Sequence, residues 1–187
     1  RLQPPTPDQP KPRPMSQFKP LPPIQELQQA FDYDPATGMF TSKQSRGSLK
    51  VGDPVGTPSY APGNRPSRIC FTLNRRVFSA HRVAWYLMTG NDPLNRKVDH
   101  EDRNPFNNAF SNLRLATDLQ NSGNRLAKGW HRTPHGRYHA QIAMYGKSVY
   151  LGSFTTPEEA HEVYVAKHIE IHGEFSPYCA TLTESTT

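Results

Sequence analysis

Asp99 and His100 stand side by side, Asn112 follows twelve positions after the histidine, and Asn121 nine positions after that. An imidazole is the side chain whose charge changes near neutral pH, so a histidine can take up or release a proton there. A carboxylate and an amide oxygen are hard donors suited to Mg²⁺ or Mn²⁺. An ion held by Asp99 and Asn121 alone keeps several positions for water and phosphate oxygens. Such an open site favours catalysis over scaffolding. Singly these residues mean little, since an Asp-His pair is usually a surface turn and Asn is common in loops. Their weight comes from the string around them: Val98-Asp99-His100, Glu101 to Asn108, Ser111-Asn112-Leu113-Arg114-Leu115-Ala116-Thr117, Gln120-Asn121 and Asn124-Arg125.

The elements that must position these side chains are short. Asp99 and His100 fall on a strand, where neighbours point to opposite faces unless the strand ends or bulges. Asn121 falls on a helix that starts near Asp118. Upstream, Ile24, Leu27 and Phe31 recur at helical spacing and predict a helix over 24–31, stopping before Asp34-Pro35. Asp34 to Gly38 reads as a turn, and 44–67, rich in Gly, Pro, Ser and Arg, as a long loop with weak strands. Residues 68–73 and 76–79 alternate around Asn74-Arg75 as a hairpin, and Ala80 to Met88 reads as a helix ended by Gly90.

The string resembles the HNH family of endonucleases, in particular its homing-type members, over roughly residues 30–126. The resemblance implies a ββα-metal finger, a hairpin packed on one helix. It implies that His100 is the general base that takes a proton from the attacking water, and that Asn112 bonds the loop backbone and orients His100. Asp99 and Asn121 are then the ligands of one divalent metal, Mg²⁺ or Mn²⁺, and Arg114 and Arg125 contact phosphate. The implied reaction is hydrolysis of phosphodiester bonds in double-stranded DNA to 5′-phosphate and 3′-hydroxyl ends, by a homing or phage nuclease. His81 also matches a recurrent family position, read here as packing at a helix start and not as the base. The rival reading is a non-catalytic, sequence-biased DNA-binding regulator, which would have no reason to retain all four spaced residues.

A second block begins near Lys128. Residues 129–133, 137–145 and 147–154 read as three strands divided by His135-Gly136 and Gly146-Lys147. Thr156 then caps a helix whose first residue is Pro157 and which Gly173 ends, with Glu158 and Glu159 complementing its dipole. His131, His135 and His139 cluster beside Trp130 and Tyr138, but their spacing is that of no zinc set. The block resembles the ethylene-response-factor (APETALA-like) DNA-binding domain, through Gly129-Trp130, Arg137 to Ile142, Gly146-Lys147, Leu151-Gly152-Ser153-Phe154, Glu158-Glu159-Ala160 and Gly173-Glu174-Phe175. That resemblance implies a three-stranded sheet laid in the major groove and backed by the helix. Alternation puts Arg137, His139 and Gln141 on one face and Tyr138, Ala140 and Ile142 on the other. The first set is expected to face DNA, joined by Arg132, Lys147 and Tyr150; Leu151, Phe154, Ala160, Tyr164 and Phe175 are core candidates.

The expected class is therefore α+β. A small HNH nuclease domain covers 24–126, and a three-stranded antiparallel sheet packed on one helix covers 127–180. Nine of the 19 prolines lie in the first 23 residues, which predicts a disordered Pro-rich leader over 1–23. A disordered tail is expected over 181–187. The run from Met15 looks like an ordinary protein start, with 1–14 upstream of it. A formal charge of +6 and a pI near 9.4 suit a polyanionic partner. Two distant cysteines give neither a disulfide framework nor a four-cysteine zinc site. With neither a membrane span nor the apolar core of a signal peptide in the sequence, a cytoplasmic protein without small-molecule cofactor is expected.

Overall fold

In the computed structural model, which describes residues 20–94 and 96–179, the chain divides into two compact units. The larger joins Pro20–Leu126 with the described residues from His172 onward; the smaller is Ala127–Ile171. Most of the expected leader, with Met15, and the expected tail lie outside the described residues. The architecture is mixed α+β, built from small antiparallel sheets and few helices. Among the described residues no helix is long and apolar enough to cross a membrane.

The larger unit opens with α1 (Ile24–Ala30), which buries Leu27 and Ala30. Phe31, at helical spacing from Leu27, instead starts β1 (Phe31–Tyr33), which pairs with β2 (Phe40–Ser42) across the Asp34 to Gly38 turn. Its ring still enters the core, 4.6 Å from that of Phe71 and edge-on to Phe40. One apolar residue satisfies either period, so helix and strand could not be separated there. The stretch expected as a long loop with weak strands contributes β3 (Pro54–Val55), which adds to β2, and β4 (Thr57–Ala61), which pairs with β5 (Arg65–Leu73).

The hairpin from β5 to β6 (Arg76–Ser79) turns at Asn74 and Arg75, both at positive φ (49° and 62°) as a tight two-residue turn requires. Helix α2 (Ala80–Thr89) buries Ala80, Val83 and Ala84 and ends on left-handed Gly90. Leu27, Phe31, Phe40, Phe71, Leu73, Phe78, Val98 and Leu113 complete one hydrophobic core with that face. Next come β7 (Lys97–His100) and β8 (Leu113–Ala116), paired antiparallel, and then α3 (Asp118–Gly123). Thr117 and Gln120 form a reciprocal capping box that fixes where α3 begins.

The smaller unit is a sheet in the order β11-β10-β9, made of β9 (Trp130–Arg132), β10 (Tyr138–Met144) and β11 (Lys147–Phe154), followed by α4 (Pro157–His172). Ala140, Ile142, Ala160 and Tyr164 are buried. Gly129, at φ +71°, lies so close to the Tyr164 ring that a Cβ there would overlap it. Register corrects two expected face assignments. Arg132 pairs with Tyr138 and Lys147 with Met144, and cross-strand partners share a face. Arg132 and Lys147 therefore belong to the Tyr138 side, whereas His131 pairs with His139 and Tyr150 with Gln141. The domain expected to run to 180 also ends earlier, because Phe175 and its neighbours group with the larger unit.

Candidate active site

Strand β7 delivers Asp99 and His100 at its end, and both are almost buried, at 7% and 8% exposure. Asp99 lies opposite Arg114 on β8. Its Oδ2 accepts from Arg114 Nε (3.1 Å) and from Asn124 Nδ2 (3.0 Å). Two donors on one oxygen fix the carboxylate and leave Oδ1 without a hydrogen-bond partner among the described residues. Asn124 Nδ2 also donates to the His100 carbonyl at 2.7 Å, tying α3 to both residues.

The His100 ring faces the Asn108 amide. Its Nε2 lies 3.1 Å from Asn108 Oδ1, and the Asn108 amide is oriented by Nδ2 donating to the Phe106 carbonyl at 3.4 Å. An amide oxygen can only accept, so Nε2 carries the proton and Nδ1 holds the lone pair. Loop residue Asn108 is held from below. The Tyr33 hydroxyl donates to its carbonyl at 2.8 Å, and burial, with Asp34 adding, pushes that phenol up to about 12, so it stays a donor. Gly38, at φ +75°, abuts the same peptide.

His81, on the first turn of α2, meets His100 edge-on with ring centroids 5.2 Å apart. Its Nδ1 is shielded and has no partner among the described residues. Burial, then His100, Arg68 and Arg82, depress its pKa to about 3. At neutral pH it is an uncharged wall to the His100 ring.

Asn112, in the 3-10 turn Phe110–Asn112, closes the loop that follows His100. Its Oδ1 accepts from Asp102 N (3.0 Å), while Nδ2 donates to Asp102 Oδ1 (2.9 Å) and to the Asn107 carbonyl (2.8 Å). Its own carbonyl accepts from Glu101 N at 2.9 Å. Asp102 stays a carboxylate: burial opposes this, but bonds from Asn107, Asn104 N and Asn112, with the charge of His100, lower its pKa.

Asn121 is half-buried on α3, which packs on β7 and β8; no hydrogen bond joins it to Asp99 among the described residues. Its amide oxygen and Asp99 Oδ1 are thus uncommitted oxygens, the donor chemistry that Mg²⁺ or Mn²⁺ takes. No three His, Cys, Asp or Glu side chains gather as a metal cluster among the described residues.

Arg114, expected on phosphate, is turned inward. Besides Asp99 it donates through a terminal nitrogen to the Glu174 carbonyl (3.2 Å), and its guanidinium lies 4.0 Å over the Phe175 ring. Arg125 is exposed. In the smaller unit Arg137 bonds Ser153 twice, through Nε to Oγ and a terminal nitrogen to the carbonyl, both at 2.7 Å. Gln141 Oε1 accepts from Ser148. The His139 ring sits between those of His131 (5.5 Å) and Tyr150 (5.3 Å) on the exposed side of the sheet. Arg132 and Lys147 are exposed at strand ends on the other face. Sequence reasoning missed Asn108 and Asn124 as site residues. Asn124 had a signal, since it stands three residues after Asn121 and so on the same side of α3.

Residues 78–122 match the family of HNH endonucleases. An uncharacterized HNH endonuclease of Acanthamoeba polyphaga mimivirus is 36% identical over 101 residues, covering 51% of this chain and 54% of that protein. The chain thus spans about half the length of this curated relative. No solved structure matches. The family match runs from β6 to α3 and contains His81, Asp99, His100, Asn108, Asn112 and Asn121. It does not reach the smaller unit, where the likeness to an ethylene-response-factor domain has no support from these comparisons.

Proposed function

We propose that the chain is a metal-dependent DNA endonuclease of homing or phage type, hydrolysing phosphodiester bonds to 5′-phosphate and 3′-hydroxyl ends. The observation that carries this reading is the contact of His100 Nε2 with the Asn108 amide: with its oxygen accepting, the proton belongs on Nε2 and Nδ1 is left as a base. Beside it stands a carboxylate with one uncommitted oxygen.

In this reading His100 Nδ1 takes the proton of the attacking water, a contribution typically worth about 10²–10⁴-fold in rate. Asn108 accepts the Nε2 hydrogen throughout, so the ring does not turn away when its charge appears. Neutral His81 places no second charge against the imidazolium that forms. Asn112 keeps the 101–112 loop closed and with it Asn108 in reach of the ring. Asp99 and Asn121 would hold one Mg²⁺ or Mn²⁺, which supplies positive charge to the scissile phosphate and the departing oxygen. Arg125 on the larger unit, and Arg137, His139, Gln141 and Tyr150 with His131 on the exposed sheet face, are the proposed contacts to double-stranded DNA.

The test is incubation with supercoiled plasmid in Mg²⁺ or Mn²⁺. The expected outcome is nicking by the wild type and at least a hundredfold slower nicking by His100→Ala, in line with about 10²–10⁴-fold for a general base. Equal plasmid binding by both, with no nicking by either across a range of divalent metals, would overturn the assignment.

A further inference from the structure

Arg114 carries a contact that the HNH match does not explain. It leaves β8 to meet Asp99 on one side and, on the other, residues 60 positions further along the chain. The guanidinium is sandwiched: Nε faces the Asp99 carboxylate, a terminal nitrogen meets the Glu174 carbonyl, and the flat side covers the Phe175 ring. Phe175 is 5% exposed and the Arg114 side chain 18%. The short turn Gly173–Phe175 packs on α3, the helix that carries Asn121 and is followed directly by Asn124. Gly123 on α3 approaches the His172 ring so closely that a Cβ would overlap it.

We propose that Phe175, together with the Glu174 carbonyl, is a positioning residue that sets Asp99 for metal binding through Arg114. The proposal rests on the metal-dependent reading above. A long arginine side chain with many rotamers fixes a carboxylate only if it is itself fixed. The aromatic face and the carbonyl do this, leaving one orientation in which Nε reaches Oδ2. With Asn124 on the same oxygen, Asp99 cannot rotate, and Oδ1 is the oxygen offered to a cation. Loss of the ring frees Arg114, and the carboxylate then samples orientations in which Oδ1 no longer presents itself.

The experiment titrates Mn²⁺ into the full chain without DNA, reading free Mn²⁺ by electron paramagnetic resonance. Wild type, Asp99→Ala, Phe175→Leu, Phe175→Tyr and Arg114→Lys are compared, each with its far-ultraviolet dichroism spectrum and melting midpoint. Leucine keeps bulk and loses the ring face; tyrosine keeps the face; lysine keeps charge and loses the planar fork. Expected is about tenfold weaker Mn²⁺ binding for Phe175→Leu and Arg114→Lys, the low end for partners that orient a metal ligand. Phe175→Tyr should stay within about twofold of wild type, and dichroism spectra should coincide throughout. The proposal falls if Phe175→Leu binds Mn²⁺ as wild type does while Asp99→Ala does not, or if Phe175→Tyr falls as far as Phe175→Leu. Wild-type Mn²⁺ binding that Asp99→Ala leaves unchanged would instead overturn the metal-site reading itself, and the positioning role with it.

Discussion

His81 and His100 are packed ring to ring but have opposite surroundings. His100 has a hydrogen-bond acceptor for its Nε2 proton, whereas His81 has its Nδ1 sealed off. The depressed pKa of His81 has a consequence for stability. Unfolding restores an ordinary value near 6.5, so between about pH 6.5 and pH 3 the unfolded chain binds a proton that the folded chain refuses. Stability from this residue is complete above pH 6.5 and is lost as pH falls. The slope approaches about 1.4 kcal/mol per pH unit well below 6.5. Denaturant melts of metal-free protein between pH 7 and pH 4.5 should show that slope, reduced by about one proton's worth in His81→Leu; equal slopes would refute it. At this scale spacing singled out Asp99, His100, Asn112 and Asn121 as candidates, and the first three of them are buried. Asn108 escaped because an asparagine in an Asn-rich loop looks like any other, and only folding shows which one faces an imidazole. The contacts of Arg114 with Glu174 and Phe175 were not legible, because Glu174 lies 60 residues away.

Short elements position this site, and each is held from outside itself. Strands β1 and β2 are three residues long, yet their turn forms the floor under Asn108. Phe110 N donates to the Pro35 carbonyl at 2.8 Å, and Gly38 packs against the 108–109 peptide. A methyl group at Gly38 would sit 2.2 Å from the Asn108 carbonyl carbon, on backbone already at φ +75°. Gly38→Ala should therefore destabilise the protein by about 2–3 kcal/mol. It should also slow nicking more than it weakens plasmid binding, because Asn108 moves and the rest of the surface does not. Melting and single-turnover nicking measure the two effects, and an alanine variant matching wild type in both would count against the floor. Helices α2 and α4 were legible because a left-handed glycine or an N-terminal proline marks their ends. The β5–β6 hairpin was legible from alternation around Asn74-Arg75, whereas β1 to β4, only two to five residues long, were hardly so. In the smaller unit strand alternation alone shows that Lys147 and Tyr150 cannot share a face, but the β10–β11 bulge and the pairing of Arg132 needed the register.

Taken whole, the molecule joins the unit that carries the HNH match to a separate sheet whose exposed side carries aromatic and imidazole rings more than charge. Tyr150 among them is 60% exposed. Its replacement by alanine should leave the melting temperature nearly unchanged, as surface substitutions usually do. It should weaken binding to double-stranded DNA about tenfold, the loss of one ordinary hot-spot side chain. Wild-type affinity should fall with salt at a logarithmic slope of about −0.9 per phosphate contacted, and Tyr150→Ala should keep that slope because it removes no charge. Fluorescence anisotropy over a salt series reads both quantities, and an unaltered affinity would remove the sheet face from the interface. A second block after residue 126 was expected from composition and turn signals. The return of residues 172–179 to the larger unit was not, because local pattern carries no information about contacts between distant segments. That return gives the molecule an order of assembly. A ribosome releases Asp99, Arg114 and Asn121 early, and the Phe175 ring only after the whole smaller unit has been made. On the proposed metal site and the proposed role of Phe175, an unfinished chain binds a cation poorly, and the proposed cleavage arrives together with the unit proposed to contact DNA.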